Sequence, residues 1–114
     1  MPRRRRADAL SLAVGKRIRQ LREEAGLTLE KLAYESDLGS KGHLSNLERG
    51  LVHPTIHTLK MLADRLGVGL LDLVCLPEQD DRQQFVDLTR RLPIGATRKL
   101  LRGLAASSRR GKSA

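Results

Sequence analysis

The sequence predicts an all-α fold: five short helices over residues 12–76, then a helical C-terminal extension. Three observations predict it. Apolar residues recur at three- and four-residue spacing from Leu12 to Val74, the period of a helix with one buried face. Gly26, Gly50 and Gly67 punctuate that pattern at its breaks, as helix C-terminal stops do. No segment of useful length alternates apolar and polar residues as a strand would, and no internal repeat is present.

The elements follow in order. Leu12, Ile18, Leu21 and Ala25 share one face of a first helix whose other face is rich in Arg and Lys. Thr28 starts a second helix, its hydroxyl placed to accept from a free amide two or three residues on. Leu29, Leu32 and Ala33 point inward from it, and Tyr34 is expected as partial core. Ser36-Asp-Leu-Gly39 reads as a turn. Ser40 caps a third helix in which only Leu44 and Leu47 are apolar, so the centre of the chain is a helix–turn–helix. Pro54-Thr55 opens a fourth helix carrying Ile56, Leu59, Leu62, Ala63 and Leu66. A short fifth helix lies near Leu70–Val74. Beyond Pro77, Phe85, Leu88 and Leu92 form one apolar stripe, Pro93-Ile-Gly95 interrupts, and Leu100, Leu101 and Leu104 form a second. The expected organisation is a flexible basic arm over 1–11, a folded unit over 12–76, a helical extension over 77–106 and a disordered basic tail over 107–114.

Charge is unevenly spread. The net charge is +9, yet residues 16–76 carry nine basic and eight acidic groups. The excess sits in residues 1–15, with four Arg and one Asp, and in residues 77–114, with nine basic and four acidic groups. Basic ends on a near-neutral fold suit a polyanion such as nucleic acid. The lone Cys75 excludes an internal disulfide. No stretch approaches the roughly 20 apolar residues of a membrane span, and the region after Arg3–Arg6 is too short and too charged for a signal peptide. A cytoplasmic protein without membrane contact is expected.

The third helix carries the chemistry. With Leu44 and Leu47 turned to the core, the opposite face presents Lys41, His43, Ser45, Asn46 and Arg49. All can donate hydrogen bonds. Asn pairs bidentately with adenine, and Lys or Arg with guanine or phosphate. Gly42 leaves room for close approach to a groove wall. A solvated polar helix face has the same composition, so the face alone leaves both readings open.

Arg17 to Ala33, Leu44-Ser-Asn-Leu-Glu-Arg-Gly50, Pro54-Thr55 and Leu66-Gly-Val-Gly-Leu-Leu-Asp-Leu73 together resemble the Cro/repressor (XRE-type, lambda-repressor-like) helix-turn-helix family. The resemblance covers about Val14 to Val74. It implies a five-helix DNA-binding domain and a sequence-specific transcriptional regulator of bacterial or phage type, nucleoid-associated when bound. It places Lys41, Gly42, His43, Ser45 and Asn46 at base-facing positions, and Thr28 and Lys31 near phosphates. It implies that Arg22 and Glu48 form a structural pair between the first and third helices. Two departures stand out. Leu29 replaces a common Gln that contacts DNA, and the turn is one residue longer, with Gly39 inserted before Ser40 and Asp37 at the usual Gly position. The extra residue is expected to tilt the third helix.

On this reading helix three, residues 40–49, lies in the major groove of double-stranded DNA, and Arg49 joins its polar face. Lys16 and Arg17 on helix one, with the loop after helix three, contact phosphates. Arg3, Arg4, Arg5 and Arg6 are expected to follow phosphates or enter a narrow minor groove. One recognition helix reads few base pairs, so a homodimer is expected, with Phe85, Leu88 and Leu92 as the dimerisation stripe. The alternative is a protein–protein adaptor or antitoxin whose 77–106 segment binds a partner. No cofactor, metal or enzymatic activity is expected. His53, His57 and Cys75 match no metal-site spacing, and no nucleophile–base arrangement or phosphate loop is visible. Single-stranded RNA readers rely on aromatic platforms, and this chain has only Tyr34 and Phe85.

Overall fold

A computed structural model of the chain describes residues 8–36, 38 and 40–112, the side chains of 111 and 112 excepted. Among these residues all regular structure is helical. The helices are α1 (Ala9–Glu24), α2 (Leu29–Glu35), α3 (Lys41–Glu48), α4 (Ile56–Leu66), α5 (Leu70–Val74), α6 (Asp81–Thr89) and α7 (Ile94–Lys112). The chain divides into two units between Leu76 and Pro77.

Four helices of the first unit begin at polar caps. Asp8, Thr28, Ser40 and Thr55 accept from the amides of Ser11, Lys31, His43 and Thr58. Each bond satisfies a donor that a helix start leaves open. The Ser11 amide holds the Asp8 carboxyl below the usual carboxylate range. Its capping is therefore complete above that range and is lost as pH falls through the lowered value.

The core is built where these helices converge. α1 packs on α3 and α5, α2 on α3 and α4, and α4 on α5. Ile18, Leu32, Leu44, Leu47, Leu62 and Leu73, drawn from all five, are fully buried. Leu27, Leu29, Leu38, Val52, Val68 and Leu70 close its edges. Cys75, the sole cysteine, is buried. The crossing of α1 over the end of α3 is close. A Cβ added to Gly15 would lie 2.5 Å from the carbonyl oxygens of Leu47 and Glu48, and one on Gly50, at φ 73°, would lie 2.7 Å from the Leu12 Cα. Only glycine permits both contacts.

Several expectations need correction. The arm expected over 1–11 ends sooner, because Asp8 caps α1 and the helix starts at Ala9, with Ser11 already buried. The tail expected to be disordered over 107–114 is helical as far as Lys112. No proline follows Pro93, and Ala105, Ala106, Arg109 and Arg110 are strong helix formers that carry the helix across its Ser and Gly residues. Tyr34 is 88% exposed instead of partial core, and Ile56, at the first position of α4, is 76% exposed. The Arg3–Arg6 segment, Asp37 and Gly39 lie outside the described residues.

In the second unit, Phe85, Leu88 and Leu92 are 47%, 55% and 39% exposed. No helix among the described residues is long and apolar enough to cross a membrane.

Candidate nucleic-acid interface

Helix α3 is held from behind and open in front. Leu44 and Leu47 are sunk in the core, and Ser40 fixes the first turn by accepting from the His43 amide at 3.1 Å. Lys41, Gly42, His43 and Arg49 are exposed, while Ser45 and Asn46 are half-buried at the edge of the same face. A side chain at Gly42 would meet only the Ser40 Oγ, at 4.0 Å. Nothing among the described residues therefore requires glycine there.

The surroundings of this face are polar. Thr28, at the start of α2, and Lys31 are exposed. Lys41 Nζ donates to Glu30 Oε1 at 2.8 Å across the α2–α3 gap. That bond lowers the Glu30 carboxyl below its ordinary range. Both side chains are more than half exposed, so solvent screens the pair and it adds little to stability.

Behind α3 lies a buried ion pair. Arg22 Nε donates to Glu48 Oε2 at 2.7 Å and its Nη2 to Glu48 Oε1 at 3.1 Å. The third nitrogen, Nη1, donates to the Leu27 carbonyl at 2.8 Å. One guanidinium thus joins α1, the connection into α2, and the end of α3.

Arg17 departs from the phosphate-contacting role expected of it. It is 2% exposed and its Nε donates to the Asp72 carbonyl at 2.8 Å, tying α1 to α5. One helical turn from Leu21, it lies at the margin of the buried face instead of on the basic one. Lys16 is exposed. Sequence reasoning also missed a contact between distant segments. Ser11 Oγ lies 2.7 Å from His53 Nδ1 and donates to Asp8 Oδ2 at 3.1 Å, linking the start of α1 to the loop after α3. Asp8 followed three residues later by Ser11 was a readable capping signal, but nothing local pointed to His53.

A short capped helix, seated by two leucines and presenting amide, hydroxyl and cationic donors, defines a groove-reading class of nucleic-acid-binding domain. The helix-turn-helix model HTH_3 matches residues 18–73. The uncharacterized HTH-type transcriptional regulator y4dJ of Sinorhizobium fredii is 46% identical over 61 residues, covering 54% of this chain and 78% of that protein. The HTH-type transcriptional regulator DdrOP3 of Deinococcus deserti is 41% identical over 58 residues, 51% of this chain but only 44% of that longer protein. Among solved structures, the restriction-modification controller protein C.AhdI from Aeromonas hydrophila superposes with a TM-score of 0.56 at 30% identity, covering 58% of this chain and 98% of that one. The chain belongs to the XRE-type, lambda-repressor-like helix-turn-helix family of DNA-binding transcription regulators.

Proposed function

We propose that the protein regulates transcription by sequence-specific binding to double-stranded DNA, with α3 in the major groove. Lys41, His43, Ser45, Asn46 and Arg49 meet base edges and nearby phosphates, and Gly42 lets the helix axis approach the groove wall. Thr28, Lys31 and Lys16 contact phosphates, with Arg3–Arg6 as a further basic arm. The observation that carries this reading is the two-sided build of α3: fully buried leucines behind, and in front a donor-rich surface with open space at Gly42.

The test uses a preferred site selected by the purified protein from random duplexes. Asn46→Ala is expected to cost about 1–3 kcal/mol on that site and little on random DNA. Equal losses on both overturn the base-reading role of Asn46, and failure to select any preferred site overturns the function.

The partner in the working assembly is a second copy of the chain, because a two-fold pair doubles the sequence read. Phe85, Leu88 and Leu92 form the contact, an apolar stripe left open in the single chain. An exposed stripe of this kind marks an interface. The full chain is expected to sediment as a dimer and Phe85→Asp/Leu88→Asp as a monomer. A wild-type monomer at high protein concentration overturns the stripe's role.

A further inference from the structure

Beyond Asp87 the chain has no acidic residue, while residues 88–114 hold eight basic ones. Helix α7 carries six of these, and its turn sorts the described ones. At 3.6 residues per turn, Ile94, Leu100, Leu101 and Leu104 gather on one side. Arg98, Lys99, Arg102, Arg109 and Arg110 gather on the other, all exposed.

The cationic side has a second feature. Gly95, Gly103 and Ala106 lie among the basic residues. A Cβ on either glycine would meet nothing within 4 Å. Glycine inside a helix, as at Gly103, costs about 1 kcal/mol relative to alanine, and no packing among the described residues requires it there. The result is a smooth rod face with long cationic side chains and little between them, suited to lying close against a regular anionic surface.

We propose that the cationic face of α7 is a second, sequence-independent phosphate-binding surface for double-stranded DNA. The proposal takes its ligand from the DNA-binding reading of α3 but rests on different residues. From Arg98 to Arg110 the face spans about 18 Å. A duplex presents roughly one negative charge per 1.7 Å of axis with both strands counted, so about ten phosphates lie along that length and the ones on the facing side are within its reach. An anionic membrane would engage the same charges, but stable surface binding by a helix also needs its apolar side inserted. The α3 reading already makes duplex DNA this protein's polyanion, and a bilayer is the rival that the test separates.

The test is binding of the full chain to a short random-sequence duplex, followed by fluorescence anisotropy across a range of salt. For Arg98→Gln/Lys99→Gln/Arg102→Gln the slope of log affinity against log salt is expected to shrink by up to ~2.7, or ~0.9 for each lost contact. Arg98→Lys/Arg102→Lys should keep the wild-type slope, because phosphate contact needs the charge. Should circular dichroism show that the triple variant loses helicity, Lys99→Gln alone is read the same way: a fall of ~0.9 supports the proposal and an unchanged slope overturns it. Flotation with phosphatidylserine vesicles separates the rival. Vesicle binding lost in the variant while the DNA slope stays fixed assigns the face to membranes and ends the proposal. Because random DNA is the probe, this result is independent of whether α3 selects a preferred site.

Discussion

Glu48→Ala is expected to destabilise the DNA-binding unit by about 3–5 kcal/mol, the cost of removing one partner from a buried ion pair. The Arg22 and Glu48 side chains are only 11% and 6% exposed, and two hydrogen bonds join them. Without Glu48, a guanidinium stays buried with only the Leu27 carbonyl to answer it. Against a total stability of about 5–15 kcal/mol for a domain of this kind, that loss is large. Thermal melting should show a fall in Tm well beyond that of an exposed control such as Glu23→Ala. Arg22→Met/Glu48→Leu, which removes both charges and keeps the volume, should recover much of the loss. A Tm unaltered by Glu48→Ala would mean that water reaches the pair.

The second large effect is expected at Gly15. Alanine there puts a methyl group 2.5 Å from two backbone carbonyl oxygens at the end of α3, where ordinary contact begins at 3.4 Å. Backbone cannot swing aside as a side chain does, so α1 and α3 must part by roughly 1 Å and break the packing around Ile18 and Leu47. Alanine is the better helix former by about 1 kcal/mol, yet the net change should be a loss of about 2 kcal/mol. For a unit of this size that is a Tm lower by about 8–16 °C. Gly103→Ala is the matched control, since a methyl there meets nothing, and it should not lower Tm. If Gly15→Ala raises Tm, the two helices do not cross this closely.

These two positions show what the sequence discloses and what it hides. Helix order was legible because Ile18 and Leu21, Leu29 and Leu32, Leu44 and Leu47, and Leu59, Leu62, Ala63 and Leu66 recur at helical spacing, and Thr28, Ser40 and Thr55 announce their caps. The candidate face was legible because only two residues of α3 are apolar. Gly15 was not legible: a glycine inside a helix reads locally as a weak point, and the backbone it touches lies some thirty residues away. Arg17 misled for a related reason. Charge predicts exposure, and its acceptor is a carbonyl 55 residues further on. Tyr34 misled in the opposite sense, as an aromatic ring left in solvent. The helical run to Lys112 was hidden by composition, because Ser, Gly and Arg suggest disorder when their neighbours are not counted.

The bonding of Arg22 has a consequence for how recognition can diverge. Its three nitrogens are committed to Glu48 and to the Leu27 carbonyl, so the placement of α3 depends on residues that point away from the groove. Among the described residues, Lys41 alone of the outward residues of α3 has a side-chain ion pair with another helix, and that one is exposed. Letters and frame are therefore separate sets of residues. On the proposed reading, exchanges at His43, Asn46 and Arg49 would rewrite the preferred sequence, and their effects on folding should add independently of changes at Arg22 or Glu48. On that reading such a domain would acquire a new target one substitution at a time, with its fold kept by the Arg22–Glu48 pair.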